Sequence, residues 1–213
     1  MDFLGVNAQL LGGFKYTLLI FFITLVAAIP LGLPIALGSM SRFKPLRWIS
    51  RAFVWVIRGT PLMLQIFAIY FAIPTLTGVN LDRMNATILS FSLNYAAYFA
   101  EIFRGGIESI PRGQYEAAAA LGMTKAQTFF RIILPQVIKR IVPASSNEVI
   151  TLVKDTSLAN VVAYSEIMLA AKQQMMNYSS LVPLFIAGVF YFVMATVLTA
   201  LFGFIEKKLN YYR

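Results

Sequence analysis

Residues 116–135, EAAAALGMTKAQTFFRIILP, are a polar interruption in a chain that is otherwise mostly apolar, and they decide its fold. The alanine run has high helix propensity, and Gly122 is the residue type expected just past a helix end. Thr124, with Gln127 three residues later, matches a capping box and predicts a second helix that Pro135 interrupts or kinks. The sequence therefore predicts a short helix, a sharp corner at Gly122 and a second helix.

The composition indicates a membrane protein and excludes most catalytic chemistry. The chain has 213 residues, of which 59% are apolar, and its mean hydropathy is +0.72; soluble domains have about 45 to 50% apolar residues. It has no cysteine and no histidine, which excludes disulfides, thiolate metal sites and the commonest general base. It also lacks the G-x-x-x-x-G-K-[ST] phosphate-binding loop, so any ATP must be hydrolysed by another chain. We expect a single non-catalytic domain over residues 1–213, with no metal site and no cofactor of its own.

Apolar stretches long enough to cross a hydrocarbon core of about 30 Å predict five membrane spans. We expect an all-α integral membrane protein with spans at about 10–37, 52–73, 84–103, 138–165 and 181–205. A cytoplasmic loop at about 108–135 joins the third and fourth spans, and residues 166–180 form an outer segment.

Basic residues indicate how these spans are oriented. They cluster at 42–58, at 104–140 and in a tail that carries Lys207, Lys208 and Arg213. Loops rich in Lys and Arg lie on the cytoplasmic side, which predicts an outer N terminus and a cytoplasmic C terminus. The net charge of +9 therefore reports membrane topology rather than nucleic-acid binding. The N-terminal residues lack the basic region and cleavage site of a signal peptide, so we expect the first span to be retained.

The stretch 116–135 resembles the EAA loop of ABC importer membrane subunits, in which E-A-A is followed after three residues by G and after nine more by I-x-L-P. Seven positions match this pattern: Glu116, Ala117, Ala118, Gly122, Ile132, Leu134 and Pro135. Two further segments, RGTPLMLQ at 58–65 and AAYFAEIFRGGIESIPRGQYEAA at 96–118, are similar to the branch of these permeases that imports histidine, glutamine and arginine. The resemblance covers the chain from about Gly13 to its C terminus.

The resemblance implies an ABC type I importer-like fold, in which the short helix at the corner is a coupling helix. Glu116, Ala117, Ala118 and Gly122 would dock into a groove on an ATP-binding cassette ATPase, which holds the ATP and Mg²⁺. The resemblance also implies a second permease subunit, identical or different, an extracytoplasmic amino acid-binding protein and a bacterial-type inner membrane. The implied function is that of the transmembrane subunit of an ATP-driven importer for polar amino acids.

Two groups of polar residues are candidates for the substrate pathway. Asn94, Tyr98 and Glu101 are spaced at i, i+4 and i+7, which puts them on one helical face. A carboxylate at membrane depth is costly, so Glu101 should face the bundle interior or a water-filled cavity. The alternative is that Glu101 pairs with Arg104 at i+3 near the cytoplasmic interface.

The second group is Lys154, Asp155, Thr156 and Ser157, four consecutive polar residues within the fourth apolar stretch. Irregular backbone survives at membrane depth only where it is buried in protein or lines a cavity. Thr156 or Ser157 would cap a second half-helix whose N terminus favours a substrate carboxylate, and Asp155 would bind the substrate ammonium. The alternative is a structural ion pair between Lys154 and Asp155.

The competing function is that of an ion-coupled secondary carrier or a small channel that acts without ATP. Such a protein needs a repeat pair, or a ring of ionisable groups built by oligomerisation. The sequence contains no internal repeat, and its complete EAA pattern favours the importer subunit. The transported amino acid, and the choice between homodimer and heterodimer, are left open.

Overall fold

The structure is a computed structural model that describes residues 2–209. Met1 and residues 210–213, which include Arg213 of the predicted cytoplasmic tail, lie outside the described residues. Every regular element within residues 2–209 is helical, which confirms the all-α prediction. The helices, in chain order, are α1 (Phe3–Ser39), α2 (Lys44–Arg58), α3 (Leu62–Thr77), α4 (Arg83–Glu108), α5 (Arg112–Ala120), α6 (125–155), a 3-10 segment (Thr156–Val162), α7 (Ile167–Tyr178) and α8 (Val182–Leu209).

The most extensive helix contact in the bundle is between α1 and α4. Both helices contribute large buried side chains, among them Phe21 from α1 and Phe91 from α4. The two backbones approach closely at Gly32, where a β-carbon would lie 2.9 Å from Phe99 Cβ and 3.1 Å from the Ala96 carbonyl oxygen. This close approach requires glycine, and it fixes the position from which α4 presents its polar face.

Two helices within residues 2–209, α1 and α8, are long and apolar enough to cross a membrane. The α2–α3 pair adds a third candidate if it is counted as one bent span. The count of five spans is therefore not established by helix length and composition, and it stays a prediction.

The predicted span at 52–73 is divided by a bend of 107° between α2 and α3. Gly59 ends α2, and Pro61 precedes the first turn of α3. The residue before a proline is disfavoured in the helical conformation, so Thr60 does not continue the helix. The Thr60 hydroxyl donates instead to the Val56 carbonyl oxygen at 2.9 Å.

A buried carboxylate, which we did not single out from the sequence, anchors the segment 166–180. Glu166 is fully buried and accepts hydrogen bonds from the backbone N–H groups of Met168 and Leu169, each at 2.7 Å. It also accepts a bond from the Tyr191 hydroxyl of α8 at 2.9 Å. Glu166 thereby caps α7, which packs against both α1 and α8.

Candidate functional site

The predicted corner at Gly122 is present. Gly122 has φ +73°, in the left-handed region, and its N–H donates to the Ala119 carbonyl oxygen at 2.9 Å. The Met123 N–H donates to the Ala118 carbonyl oxygen at 3.0 Å, which completes a Schellman motif at the end of α5. The corner satisfies the last carbonyl groups of α5 and turns the chain sharply into α6.

The capping box that opens α6 is also confirmed. The Thr124 hydroxyl accepts from the Gln127 N–H at 3.3 Å, and the Gln127 side chain accepts from the Thr124 N–H at 2.9 Å. Pro135 does not end this helix, because the turn at Phe129–Ile133 widens into a π turn just before it. A π turn redirects backbone bonds to i−5 carbonyls, so the helix passes a residue that has no N–H to donate.

The exposed side chains of α5 and of the corner that follows it include a charged, a small and an apolar residue. Glu116 and Ala117 are exposed, whereas Ala118 is buried against the rest of the chain. Leu121, at the tip of the corner, is 80% exposed. The helix and its corner therefore expose a carboxylate, an alanine and a leucine within six residues.

A polar cavity of about 510 Å³, the Asp155 cavity, lies where the α2–α3 break meets α4 and the end of α6. Its lining residues are Arg58, Gly59, Thr60, Pro61, Leu62, Asn94, Tyr95, Tyr98, Glu148, Thr151, Asp155 and Leu158.

Hydrogen bonds between helices hold the walls of the Asp155 cavity in place. The Tyr95 hydroxyl of α4 donates to Asp155 Oδ2 at 2.7 Å. The Asn94 side-chain amide donates to Gln65 Oε1 at 3.0 Å, and Gln65 Nε2 donates in turn to the Ile57 carbonyl oxygen at 2.7 Å. These bonds tie the broken α2–α3 pair to α4 and tie α4 to α6.

A second cavity of about 440 Å³, the Glu101 cavity, lies further along α4 toward Glu108. Its lining residues are Ser39, Arg51, Val54, Trp55, Arg58, Gly59, Tyr98, Glu101 and Arg104. Arg104 bonds both carboxylate oxygens of Glu101, with Nε 3.1 Å from Oε2. Arg58 approaches the same carboxylate less closely, with Nη1 4.0 Å from Oε1, and its guanidinium lies 5.1 Å from the centroid of the Tyr98 ring.

Four of the six predicted pathway residues line these cavities. Asn94, Tyr98 and Asp155 line the Asp155 cavity, and Tyr98 and Glu101 line the Glu101 cavity. The alternative for Glu101, an ion pair with Arg104, is also present, so the pair and the cavity position coexist. Within residues 2–209 the structure forms no ion pair between Lys154 and Asp155. Lys154 is exposed, and Asp155 instead accepts a hydrogen bond from the Tyr95 hydroxyl.

The predicted capping role of Thr156 and Ser157 is wrong. Thr156 is buried and its hydroxyl donates to the Val153 carbonyl oxygen at 2.6 Å, while the Ser157 hydroxyl donates to the Lys154 carbonyl oxygen at 2.7 Å. The backbone continues from α6 directly into the 3-10 segment without a side-chain cap. No new helix N terminus therefore forms at this point to receive a carboxylate.

Among the residues that line the Asp155 cavity, the sequence reasoning missed Glu148, Thr151 and Arg58. Glu148, Thr151 and Asp155 stand at i, i+3 and i+7 on α6, the same kind of spacing that grouped Asn94 with its partners on α4. That spacing was readable from the sequence. Arg58 was treated as part of a basic loop, and only the α2–α3 break places it at the cavity wall.

Comparison with known proteins supplies the family. Residues 28–211 match the binding-protein-dependent transport system inner membrane component family. The chain belongs to this family. A relative in Bacillus subtilis (strain 168), an arginine transport system permease protein, is 39% identical over 99% of this chain and 98% of its own length. An L-cystine transport system permease protein from the same strain is 38% identical over 94% of this chain and 86% of its own length.

Solved structures agree with this assignment. An amino acid ABC transporter, crystallised with histidines, has a chain that is 33% identical and superposes with a TM-score of 0.90 over 98% of this chain and 99% of its own. The MetNI methionine ABC transporter has a chain with a TM-score of 0.69 at 19% identity, over 97% of this chain and 94% of its own, which supports the fold alone. The resemblance to ABC importer permeases is thus confirmed, as is the prediction of a non-catalytic transport subunit.

Proposed function

We propose that the chain is the transmembrane subunit of an ATP-driven importer for polar amino acids, and that the two cavities along α4 are its substrate path. The observation that carries this proposal is the Asp155 cavity, which brings the cation Arg58 and the carboxylates Glu148 and Asp155 around one polar space of about 510 Å³. Charged side chains at membrane depth are expensive and mark substrate pathways by default. An α-amino acid carries both charges that this lining complements.

Arg58 is the partner that we assign to the substrate carboxylate. The half-helix N terminus expected at Thr156 is absent, so the carboxylate needs another cation, and Arg58 is the one that lines the Asp155 cavity. A guanidinium binds a carboxylate through two parallel hydrogen bonds. Asp155, which lines the same cavity, then binds the substrate ammonium.

Glu148 suggests which polar amino acids bind best. With Arg58 and Asp155 assigned to the two backbone charges, Glu148 remains in the same cavity as a second carboxylate. A carboxylate without a cation is costly to desolvate, so a substrate with a cationic side chain satisfies it. Arginine is such a substrate, in line with the name of the Bacillus subtilis arginine permease.

The corner at Gly122 is the surface that we assign to the ATPase. Ala117 leaves room for close approach, Glu116 offers a charge, and Leu121 offers an apolar side chain that a groove would bury. ATP and Mg²⁺ bind on that partner, and its motion reaches the membrane helices through the rigid turn between α5 and α6.

The assembly follows the expectations from the sequence: five spans, an outer N terminus, a cytoplasmic C terminus and a bacterial-type inner membrane. Basic residues near the end of the bundle that carries α5 support this orientation: Arg51 donates to the Ser39 carbonyl oxygen and Arg140 to the Ser109 carbonyl oxygen there. A second permease subunit completes the walls of the open path, and an extracytoplasmic amino acid-binding protein delivers the substrate to the other end.

The proposal predicts that the chain transports nothing without its ATPase. Reconstituted in vesicles with a radiolabelled amino acid panel and ATP, the chain alone should accumulate none, because it has no phosphate-binding loop. Adding the ATPase and the binding protein should start uptake. Accumulation by the purified chain alone, driven by an ion gradient, would show instead that the carrier alternative is correct.

The proposal also predicts that Asp155→Asn weakens substrate recognition. The change keeps the size and the Tyr95 bond but removes the charge, so we expect a loss of about 1 to 3 kcal/mol, or roughly 5- to 150-fold in affinity. Binding of radiolabelled L-arginine to the reconstituted complex measures it. Asp82→Asn is the matched control, because Asp82 caps α4 at the other end and asparagine caps a helix equally well. Equal affinity in Asp155→Asn and Asp82→Asn would place the ammonium site elsewhere.

A further inference from the structure

Arg58 stands between the two cavities and is held less firmly than its neighbour Arg104. Its guanidinium stacks on Tyr98 at 5.1 Å, but its nearest approach to Glu101 is 4.0 Å, beyond hydrogen-bond distance. Arg104, by contrast, bonds both oxygens of the Glu101 carboxylate. The Arg58 side chain is 40% exposed, so its head group has room to move without leaving the Tyr98 ring.

The position of Arg58 makes such a movement consequential. Only three residues line both cavities: Arg58, Gly59 and Tyr98, all within the part of the chain that the structure describes. Arg58 is the last residue of α2 and lies immediately before the 107° bend into α3. The guanidinium of Arg58 therefore lies at the boundary that the two cavities share.

Carboxylates on both sides attract this one cation, since Glu148 and Asp155 line the Asp155 cavity with it and Glu101 lines the other cavity. On one side lies Glu101, and on the other lies the substrate carboxylate, as assigned under the proposed function, on which this inference rests. We propose that Glu101 is an internal substitute for the substrate carboxylate: it holds Arg58 across the passage between the cavities until an entering amino acid draws Arg58 to the Asp155 side. The substrate thereby opens its own way toward the Glu101 cavity.

This competition determines whether Glu101 raises or lowers two quantities, the substrate affinity and the leak through the passage. A guanidinium that is attracted to Glu101 is less available to the substrate, so Glu101 lowers the affinity of the Asp155 cavity. The same attraction keeps the passage closed when no substrate is present. Removing the Glu101 charge should therefore tighten binding and at the same time open a leak.

The test uses the complex of this chain with its ATPase, reconstituted in vesicles, with radiolabelled L-arginine as the probe. We expect Glu101→Gln to lower the dissociation constant about two- to fivefold, the range for a partly exposed ion pair. We also expect L-arginine preloaded into the vesicles to leak out faster without ATP. Glu101→Asp keeps the charge and the fold but draws the carboxylate back from Arg58, so it should shift both quantities in the same direction by less.

Glu108→Gln is the matched control. Glu108 also pairs with Arg104, but it lines neither cavity, so its removal should leave affinity and leak unchanged. In an Arg58→Gln background, Glu101→Gln should bring no further tightening, because the two residues act through one contact. Unchanged affinity and leak in Glu101→Gln, or tightening that persists without Arg58, would overturn the proposal. If Arg58→Gln binds L-arginine as tightly as the unchanged protein, the carboxylate assignment under the proposed function fails as well.

Discussion

Replacing Gly122 with valine should reduce coupled uptake to near background while the membrane helices remain assembled. Gly122 has φ +73°, and no heavy atom lies within 4 Å of the place where its β-carbon would stand. The whole cost of the change is therefore backbone strain, about 1 to 3 kcal/mol for a β-branched residue in the left-handed region. Residue 122 relieves that strain by moving out of the left-handed region. This movement breaks the two Schellman hydrogen bonds, to the Ala119 and Ala118 carbonyl oxygens, that orient α5.

Uptake and ATP hydrolysis measured on the same vesicles detect the loss of coupling. We expect Gly122→Val to hydrolyse ATP without matching transport, and Gly122→Asn to retain most coupling because asparagine tolerates this conformation. Gly78→Val is the matched control: Gly78 also has φ +73° and open space around it, but it follows α3, away from α5. Normal uptake in Gly122→Val, or an equal loss in Gly78→Val, would contradict a specific role for the corner.

The corner could be predicted from sequence because every signal that forms it is local. Gly122 bonds to Ala119, and Thr124 bonds to Gln127, three positions away in each case. The capping box and the glycine each have a specific residue signature, and together they locate a helix end and a helix start to within a residue. Such features depend little on the rest of the fold.

The cavities could not be predicted in the same way, because their contacts join distant parts of the chain. Tyr95 and Asp155 are 60 positions apart, and Asn94 and Gln65 are 29 apart. Helical spacing grouped residues on one face of α4, but it could not say which face of α6 would lie opposite. Arg58 reaches the site only because Thr60 and Pro61 end α2 beside it, a bend whose 107° angle no local rule supplies.

The error at Thr156 and Ser157 has a physical cause. Serine and threonine after a helix suggest a new cap, but their hydroxyls can equally donate back to carbonyls three residues earlier. Here both do so, at 2.6 and 2.7 Å, and the chain tightens into a 3-10 segment instead of starting again. The choice between the two depends on burial of Thr156 in the bundle, which the local sequence does not encode.

Replacing Gly32 with leucine should abolish most assembly of the bundle. The first added atom, the β-carbon, would already lie 2.9 Å from Phe99 Cβ and 3.1 Å from both the Ala96 carbonyl oxygen and the Ala100 backbone nitrogen. Backbone atoms cannot move aside as a flexible side chain does, so α1 and α4 must separate. The cost should reach or exceed the roughly 1 to 3 kcal/mol typical of overpacked cores, because this is the most extensive helix contact in the protein.

The yield of monodisperse protein after size-exclusion chromatography, and its thermal stability, measure this effect. Gly12→Leu is the matched control on the same helix, because no heavy atom lies within 4 Å of its β-carbon position, and it should behave as the unchanged protein. The Gly32→Leu protein that does assemble should also lose uptake per molecule, because α4 carries Asn94, Tyr98 and Glu101 into both cavities as one rigid face. Equal yield and equal uptake in Gly32→Leu and Gly12→Leu would mean that the α1–α4 crossing does not position the substrate path.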